Sequence, residues 1–428
     1  MLVRVITVFE GSSEFGSLRF CKKSFLLPML QSLLSCPSHT SIVYKYHRNT
    51  IPNTRSITTM IRMKILVAMS GGVDSSVLAH MLHEQEHELV GVMMKLWTDP
   101  LAPVVQRAIP TKCCSVEHIQ RARSVCDTLG IPFYVLNMEE EFKTKVVDPF
   151  LDAHKKGETP NPCIACNRTI KFGTLLEKAK ELGCEKLATG HYARIATEIE
   201  SNGTQRHLLL EGADAEKDQS YYLYELTQEK LSSILLPLGG MRKEEIFEMA
   251  KKYNVPMTAQ YRESQDLCFF PEKDPNAFLR RYIQDIQPGD IRTEDDKKVG
   301  THKGLPFYTI GQRKGLGIGG LIIPLHVSRK DSQTNTVYVA ENGKDMKKSL
   351  TADNIHWISW SPRESQEVEL LARVSSLGSK RKGTLKYSGN TGIFTFVTPV
   401  RGIASGQAIV LYKGQEILGG GRIASAIH

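Results

Sequence analysis

The chain has 428 residues, a length that predicts two or three domains with ample sequence to build a buried core. Its hydrophobic content of 41% and charged content of 24% are those of a soluble globular protein, and its net charge of +9 suits a polyanionic partner. Nine cysteines, an odd number in a long chain, exclude a disulfide framework and favour reactive or metal-binding thiols.

The first sixty residues are basic, rich in serine and poor in acidic residues. The basic residues are Arg4, Arg19, Lys22, Lys23, Lys45, Arg48 and Arg55, against Glu10 and Glu14. This composition is typical of an organellar transit segment, so we expect residues 1–60 to direct import into the mitochondrial matrix. The alternatives are a disordered tail or an untranslated leader, because a start at Met60 or Met63 would omit it. No segment is long and apolar enough to span a membrane, so we expect no membrane partner.

A strand, a glycine turn and a helix are predicted in succession after this leader. Apolar residues from Ile65 to Met69 indicate a buried strand, and apolar residues at helical spacing from Val73 to His83 indicate a helix. Between them, Ser70, Gly71 and Gly72 break both patterns. Backbone N–H groups of such a turn, together with the nearby serine hydroxyls, lie at the positive end of the helix. The turn therefore suits a phosphate or pyrophosphate group.

The turn matches neither of two common nucleotide-binding motifs. A Walker P-loop ends in Gly-Lys-Ser/Thr, and a dinucleotide fingerprint needs Gly-x-Gly-x-x-Gly; both are absent here. It resembles instead the PP-loop of ATP pyrophosphatases, whose pattern is Ser-Gly-Gly-x-Asp-Ser. Those enzymes cleave ATP between the α and β phosphates, attach AMP to an acceptor and release pyrophosphate. The alternative is a glycine turn that only joins the strand to the helix.

Strands and helices then alternate, which predicts an α/β fold with a parallel sheet. Further strands are predicted at 89–96, 133–138 and 186–189, and helices at 115–129 and 167–182. Ligands of such sheets bind beyond the carboxyl ends of the strands. The Ser-Gly-Gly turn and the turn Thr189–Tyr192 lie at such ends, and Met94 lies near another.

The pattern changes near Lys273. Residues 287–330 are rich in glycine and basic residues, and Gln312, Arg313 and Lys314 favour contact with RNA phosphates over a flexible linker. Short alternating runs at 368–374, 392–397 and 408–412 predict a small antiparallel barrel or sandwich. The predicted domains are a PP-loop catalytic domain at 61–275, a central basic domain that binds tRNA at 276–350 and a C-terminal β-barrel at 351–428.

Two cysteines, Cys163 and Cys166, lie in the stretch Thr159–Asn167, where two prolines predict an extended approach. Because the helix is predicted to begin at Asn167, Cys166 would lie at a helix N-terminus, where the pKa of a thiol is lowered. Cys268 is flanked by apolar residues. Alternatively, the first two cysteines form half of a zinc site, which lacks a second Cys-x-x-C in the sequence. Cys113, Cys114, Cys126 and Cys184 are expected to be packing residues.

From about Met63 to the C-terminus the chain resembles the tRNA-specific 2-thiouridylase family, bacterial and mitochondrial. The matching stretches, in order, are the PP-loop, Met93–Trp97, Cys126–Ile131, the Pro-Asn-Pro segment with Cys166, Ala188–Tyr192, Lys217–Leu223, Cys268–Phe269, Thr309–Gly320 and Gly419–Gly421. The resemblance implies thiolation of the wobble uridine in the anticodon arm of tRNA. It also implies ATP and Mg²⁺ as cofactors, with Asp74 as a metal ligand, and sulfur delivered by a cysteine desulfurase or a relay protein.

The resemblance further implies a role for particular residues. Cys268 would carry sulfur as a persulfide, and Cys166 would end in a disulfide with it. The ATP site would comprise Ala68, Met69, Ser70, Gly71, Gly72, Val73, Asp74, Ser75, Met94 and Gly190. Contacts to tRNA or its target base would come from Asn161, Pro162, Cys163, His191, Lys217, Asp218, Gln219 and Gln407. Without the resemblance, His191 reads equally as an ordinary loop histidine.

The chain departs from the family pattern at two places. Bacterial members commonly have aspartate where this chain has Cys163, and the Arg-Tyr pair that the family places in its barrel is not evident near Arg373. Lys380, Arg381 and Lys382 are candidates to replace that pair as phosphate ligands. The three thiols of Cys163, Cys166 and Cys268 suggest a [4Fe–4S] cluster as one hypothesis. Persulfide chemistry without a metal is the other, in which Cys163 either resolves a disulfide on Cys166 or is a tolerated substitution with no role.

Two further functions remain open at this point. One is an amide-forming PP-loop synthetase that uses ammonia, and the other is an RNA-binding module with a relic nucleotide site. A thiolase needs both Cys166 and Cys268, a synthetase needs neither, and a binding module needs no ATP turnover.

Overall fold

A computed structural model describes residues 62–103, 116–256, 267–272, 274–284, 286–319 and 323–427. The predicted transit segment, Cys113 and Cys114 lie outside these residues. The helices are α1 (Val73–Glu84), α2 (Val116–Leu129), α3 (Glu139–Phe142), α4 (Asp148–Lys155), α5 (Pro162–Cys166), α6 (Leu175–Glu181), α7 (Gln228–Ser233), α8 (Lys243–Lys252) and α9 (Pro275–Tyr282). Two π-helical stretches, Lys143–Val147 and Asn167–Thr174, join α3 to α4 and α5 to α6.

The strands form three sheets. They are β1 (Lys64–Ala68), β2 (Glu88–Lys95), β3 (Phe133–Asn137), β4 (Lys186–Ala188), β5 (Ala193–Ile199), β6 (Gln205–Glu211), β7 (Ile234–Leu235), β8 (Gly289–Thr293), β9 (Lys298–His302), β10 (Leu325–Asp331), β11 (Thr336–Glu341), β12 (Lys347–Trp357), β13 (Glu367–Arg373), β14 (Arg381–Ser388), β15 (Thr391–Val400), β16 (Ala408–Lys413) and β17 (Glu416–Ile427).

The first sheet is parallel throughout, with strand order β3-β2-β1-β4-β7, which confirms the predicted α/β architecture. The central strand β1 explains the uninterrupted apolar run, because Ile65, Leu66 and Val67 are each fully buried between helices on both faces. Helix α1 covers one face through Val77 and Leu78. The carboxyl end of β1 therefore opens into the Ser-Gly-Gly turn, as the sequence predicts.

The central sheet has four strands in the order β10-β11-β8-β9, with one parallel pairing, β11 with β8. The C-terminal sheet closes on itself in the order β12-β15-β14-β13-β16-β17, because β12 pairs with both β15 and β17. The sequence predicted either a barrel or a sandwich here, and the structure has a closed six-stranded antiparallel barrel. The predicted domain boundary at residue 350 falls inside β12.

One pairing joins the first domain to the barrel and was not foreseen. The hairpin β5–β6 lies in the chain between β4 and β7 of the parallel sheet, yet β6 pairs with β17 of the barrel through Leu209 opposite Ile417. Both residues are fully buried. The barrel is thus tied to the segment that directly follows the turn Thr189–Tyr192. Among the helices that the structure describes, none is long and apolar enough to cross a membrane.

Candidate functional site

The turn after β1 has a backbone that only glycine accommodates. Gly71 has φ +70°, and a Cβ atom at this position would lie 2.3 Å from the carbonyl oxygen of His118. Gly72 caps α1 in an extended conformation without a side-chain cap, so the first N–H groups of the helix have no side-chain acceptor from the cap residue. Donors of this kind at a helix N-terminus suit a phosphate.

The serine hydroxyls of this turn form hydrogen bonds within the turn itself, and their contact with a ligand stays a prediction. Ser75 and Ser76 are buried, and both hydroxyls donate to the carbonyl oxygen of Gly72, at 3.1 and 3.0 Å. Ser75 Oγ also accepts from the backbone N–H of Ser70 at 3.1 Å. These two hydroxyls hold the turn in shape. Ser70 is exposed but belongs to the same network, since its Oγ lies 3.1 Å from Ser75 Oγ and accepts from the backbone N–H of Gly72 at 3.3 Å. The turn is therefore organised before any ligand arrives.

Asp74 is held by two partners from distant parts of the chain. Its Oδ1 accepts a hydrogen bond from the Tyr192 hydroxyl at 2.7 Å and from Lys243 Nζ at 2.7 Å. The Lys243 side chain is only 6% exposed, whereas that of Asp74 is 29% exposed. Gly190 packs against this carboxylate, since a Cβ there would lie 3.3 Å from Asp74 Cβ. The two predicted strand-end turns therefore meet at Asp74.

Sequence reasoning missed Lys243, although a signal was present. Lys243 is the first residue of α8, and a positive charge at a helix N-terminus is unfavourable because the helix dipole is positive there. Glu244 and Glu245 follow the expected preference for acidic residues, and Lys243 breaks it. A basic residue in that position, after a Pro-Leu-Gly-Gly turn, is a reason to look for an anionic partner.

His191, in the second turn, is buried and neutral. Burial first, and then the charge of Lys171, hold its pKa well below the ordinary value of 6.5. Lys171 Nζ lies 3.3 Å from Nε2, and the Thr189 hydroxyl lies 2.7 Å from Nδ1. Because a lysine ammonium can only donate, Nε2 accepts and Nδ1–H donates to Thr189. His191 is thus fixed in one tautomer at the end of β4.

The helix that carries the first two cysteines begins earlier than predicted. It starts at Pro162, with Asn161 as its N-cap, and Asn161 Oδ1 accepts from the backbone N–H of Cys163 at 3.2 Å. Proline fits the first helical position, where its missing N–H costs nothing, so the Pro-Asn-Pro sequence opens the helix instead of delaying it. Cys163 therefore lies in the first turn, and Cys166 lies a turn further on and is buried. The predicted position of Cys166 at a helix N-terminus is wrong.

Cys268 is half-buried and precedes a firmly anchored segment. The carbonyl oxygen of Phe269, which is 1% exposed, accepts from the backbone N–H of Asp99 at 3.2 Å. The fully buried Asp99 carboxylate in turn accepts from Arg281 Nε at 2.7 Å and from the Tyr282 hydroxyl. Cys166 belongs to a large hydrophobic cluster that extends through all three domains, and Cys268 packs against that cluster. Their assignment as the reacting pair stays a prediction.

The arrangement of the three cysteines does not fit an iron–sulfur cluster. Within the described ranges, which include Cys163, Cys166 and Cys268, no three cysteine, histidine or carboxylate side chains lie together in a way that could hold a metal ion. We therefore derive no step through a cluster, and a zinc site on Cys163 and Cys166 lacks its remaining ligands for the same reason. Of the other cysteines, Cys126 and Cys184 are buried, as predicted, and burial raises the pKa of both, that of Cys126 to about 12.

Several residues assigned to tRNA contact lie in internal hydrogen bonds. Asp218 Oδ2 pairs with Arg373 Nη1 of β13 at 2.9 Å, and the side chains are 4% and 11% exposed. Gln219 Oε1 accepts from the backbone N–H of Tyr192 at 3.1 Å. Gln407 Nε2 donates to the carbonyl oxygen of Thr159 at 2.9 Å. These side chains join the barrel and the strand-end turns to the catalytic domain, and their contact with tRNA stays a prediction.

The remaining predicted RNA ligands divide into paired and exposed residues. Lys380 Nζ pairs with Glu211 Oε2 at 2.7 Å, which ties it to the catalytic domain, while its neighbours Arg381 and Lys382 are exposed. The glycine-rich stretch is not a loose linker where the structure describes it. Gly311 and Gln312 bond to the backbone of Val327 on β10. Arg313 and Lys314 lie in this ordered turn and are exposed to solvent. Elsewhere in the chain, Lys217, assigned to tRNA contact, and Met94, assigned to the ATP site, are half-buried.

Family models cover nearly all of the described chain. The tRNA methyl transferase HUP domain matches residues 63–272, the tRNA methyl transferase PRC-barrel domain matches 276–341, and the aminomethyltransferase beta-barrel domain matches 347–423. The first of these corresponds to the parallel sheet with the Ser-Gly-Gly turn, and the last corresponds to the closed barrel. The fold and the turn thus define a PP-loop nucleotide-binding protein with two appended domains.

The most informative relatives are bacterial. The chain is 43% identical over 364 residues to the tRNA-specific 2-thiouridylase MnmA of Carboxydothermus hydrogenoformans, covering 85% of this chain and 98% of that protein. It is 42% identical over 370 residues to MnmA 1 of Caldanaerobacter subterraneus subsp. tengcongensis, covering 86% and 100%. The chain belongs to the tRNA-specific 2-thiouridylase family.

Among solved structures, the U34-tRNA thiolase NcsA of Methanococcus maripaludis with its [4Fe–4S] cluster is 18% identical, with a TM-score of 0.30. The match covers 49% of this chain and 63% of that one. A likeness of this degree carries no argument about the cysteines here.

Proposed function

We propose that this protein is an ATP-dependent tRNA sulfurtransferase that converts the wobble uridine of tRNA to 2-thiouridine. The observation that carries the proposal is the pre-organised Ser-Gly-Gly turn, where Asp74, Lys243 and Tyr192 meet. Membership of the 2-thiouridylase family supports the choice of substrate.

The reaction needs activation because the C2 carbonyl oxygen of uridine is a poor leaving group. The turn at Gly71 and Gly72 would hold the ATP phosphates through backbone N–H groups while O2 attacks the α-phosphate and pyrophosphate departs. Lys243, buried beside the turn, would supply positive charge toward the phosphates. Asp74 is a fitting Mg²⁺ ligand, because Mg²⁺ is usually held by one or two carboxylates together with substrate phosphates. When bound, Mg²⁺ would neutralise charge on those phosphates.

Sulfur transfer would then use both thiols. The terminal sulfur of a persulfide on Cys268 attacks C2 and AMP leaves, so that a Cys268–S–S–C2 linkage remains. The Cys166 thiolate attacks the Cys268 sulfur, which releases 2-thiouridine and forms a Cys166–Cys268 disulfide. Two electrons from an external thiol donor restore the thiols. The base must leave the anticodon stack to reach these groups, and anticodon loops suit this because they are single-stranded.

The cellular setting is part of the same proposal. Residues 1–60 would direct import into the mitochondrial matrix, and a cysteine desulfurase or relay protein would load Cys268. The basic, acid-poor composition of the segment supports the location. A fluorescent fusion of the full chain should co-localise with mitochondria, and a fusion that starts at Met60 should not. Identical cytosolic distribution of the two fusions would contradict the location.

One assay separates the three candidate functions. Protein, ATP, Mg²⁺, unmodified tRNA and a persulfide donor are incubated, and 2-thiouridine and AMP are quantified by mass spectrometry. We expect both products in equal amounts, and loss of 2-thiouridine in Cys166→Ser and in Cys268→Ser, with Cys184→Ser as the buried-cysteine control. Thiolation that survives in both variants would refute the mechanism. AMP formation that depends on ammonia instead of a persulfide would favour a synthetase, and absence of ATP turnover would favour a binding module.

A further inference from the structure

A cleft opens where all three parts of the described chain meet. Its walls come from the segment 156–159 after α4, from the end of β10, and from the barrel through the loop 402–405 and the end of β17. Its volume is about 420 Å³, enough for a phosphate group with part of its attached sugar. None of the individual residues assigned to the ATP site or to tRNA contact lines it, although part of the lining belongs to the central domain, 276–350, that the sequence predicts to bind tRNA.

The charged lining of this cleft favours an anion. The cations are Lys156, Arg329, Lys330 and Lys347, and the carboxylates are Glu158 and Asp345. Both carboxylates are bonded to groups outside the lining. Glu158 Oε1 lies 3.0 Å from Arg422 Nη1, and Asp345 Oδ2 lies 2.7 Å from His326 Nε2. The other oxygen of Asp345 is buried away from solvent and therefore does not face an incoming ligand. Arg329 is also paired outside the lining, with Glu294 at 3.4 Å, so the positive charge in excess at the cleft lies chiefly on Lys156 and Lys330.

Lys330 forms no close ion pair among the described residues, although the negative charge of Glu158 lies near enough to act on it. The hydrogen bond recorded for its Nζ is a long one, 3.4 Å, to the backbone carbonyl oxygen of Glu158, and no carboxylate among the described residues lies within ion-pair distance. Burial lowers the pKa of Lys330 to about 8, and the charge of Lys330 helps to lower that of the nearby buried His154. Lys330 is half-buried, and the nearby Glu158 carboxylate is itself paired with Arg422, so an external anion in the cleft would stabilise the Lys330 ammonium.

The cleft also adjoins the segment that leads to the cysteine helix. The backbone N–H of Thr159 donates to the carbonyl oxygen of Ser405 at 2.8 Å, and Gln407 bonds to the carbonyl oxygen of Thr159. Gly406 has φ +89°, and a Cβ there would lie 3.0 Å from Glu158 Cβ. A ligand held by Lys330 would therefore lie against the same short segment, 158–161, that caps the helix of Cys163 and Cys166.

We propose that this cleft binds a backbone phosphate of the RNA substrate, with Lys330 as its principal cation. The inference rests on the proposed function, because tRNA is the large polyanion that the protein binds as its substrate in that function. A free phosphate or pyrophosphate ion has the same chemistry, and the experiment separates the two sources.

The test compares Lys330→Met with a matched variant, Lys348→Met, which removes the same charge from an exposed position on β12. Affinity for unmodified tRNA is measured against salt concentration. We expect Lys330→Met to weaken binding about five- to tenfold at 0.1 M salt and to reduce the salt slope by about one, with Lys330→Arg restoring both. We expect Lys348→Met to match the wild type. Equal effects of the two Met variants, or an unchanged slope in Lys330→Met, would overturn the proposal.

A second readout does not depend on a variant that folds. Wild-type protein is treated with a small lysine-acylating reagent alone, with tRNA, or with inorganic phosphate, and acylation of Lys330 is quantified by mass spectrometry relative to Lys348. Protection of Lys330 by tRNA supports the proposal, and protection by inorganic phosphate alone overturns it. Thiolation-competent protein that binds tRNA without protecting Lys330 refutes this site and leaves the proposed function intact. Protein that does not bind tRNA at all refutes both.

Discussion

Lys243 and Asp74 form a largely buried ion pair, with Nζ 2.7 Å from Oδ1, although 169 positions separate them in the chain. The Tyr192 hydroxyl donates to the same oxygen, so the beginning of α8, the Ser-Gly-Gly turn and the turn after β4 converge on one carboxylate. The pair links the stability of the turn to its ability to bind phosphates.

Lys243→Met should therefore affect both properties. Loss of the ammonium leaves Asp74 without its charge partner, and because Asp74 is partly exposed we expect unfolding free energy to fall by about 1–3 kcal/mol, less than for a fully buried pair. ATP affinity and AMP formation should fall sharply. Lys251→Met, an exposed lysine on the same helix, serves as the control for both chemical denaturation and ATP binding.

The double variant Asp74→Asn with Lys243→Met separates the two effects. It removes both charges, so stability should recover toward the wild-type value while AMP formation stays low. Because Asp74 is also the proposed Mg²⁺ ligand, recovery of both properties together would mean that AMP formation needs neither Lys243 nor Asp74.

The local pattern of the chain predicts much of this molecule. Uninterrupted apolar runs located the strands of the parallel sheet to within one residue at most ends, as for β1 and β2. Short apolar or alternating runs located three of the six barrel strands, β13, β15 and β16. Strand β15 alternates between buried and exposed residues, whereas five successive residues of β16 are buried. These predictions succeed because burial of one face or both faces of a strand determines which of its successive residues are apolar.

Contacts between distant residues were not predictable in this way. Nothing near Asp218 reveals that it pairs with Arg373, 155 positions later, or that β6 joins the barrel at Ile417. The start of the cysteine helix was missed for a local reason: proline was taken as extended, whereas Pro162 occupies the first helical position behind an Asn161 cap. The candidate site thus combines residues that a motif finds with residues, such as Lys243, that only folding brings together.

Asn161 can be tested as a cap separately from its predicted contact with the target base. Asn161→Ala should lower stability by about 1 kcal/mol, because the N–H of Cys163 loses its acceptor, whereas Asn161→Asp keeps an acceptor and should be as stable as the wild type. If Asn161 also contacts the base, Asn161→Asp should lose thiolation while remaining folded. Full activity in Asn161→Asp would leave capping as the role of Asn161.

His154 should make stability depend on pH. Burial, together with the charge of Lys330, lowers its pKa from 6.5 to about 4 in the folded protein. Between these two values the unfolded chain binds a proton that the folded protein does not, so stability should decrease as the pH falls from 6.5. The loss attributable to His154 amounts to about 3 kcal/mol at pH 4.

The measurement is the difference in unfolding free energy between the wild type and His154→Gln across pH 4–7. This difference should shift in favour of the variant as the pH falls, whereas His83→Gln, at an exposed position on α1, should show no such trend. A difference that does not vary with pH would contradict a depressed pKa.

Cys163 should be more reactive toward alkylation than Cys166, contrary to the prediction from sequence. Cys163 is half-buried in the first turn of α5, where the positive end of the helix stabilises a thiolate, whereas Cys166 lies a turn further on and is 7% exposed. Brief treatment with iodoacetamide, followed by peptide mass spectrometry, should modify Cys163 before Cys166, and Cys126 serves as a fully buried reference.

Cys163→Asp should keep thiolation, because an acidic group at this position is what the family pattern has, whereas Cys163→Ala should lower the rate if the thiol acts as an acid or base. Equal activity of Cys163→Asp and Cys163→Ala would mean that the side chain has no chemical role. In the alkylation experiment, faster modification of Cys166 than of Cys163 would contradict the observed start of the helix.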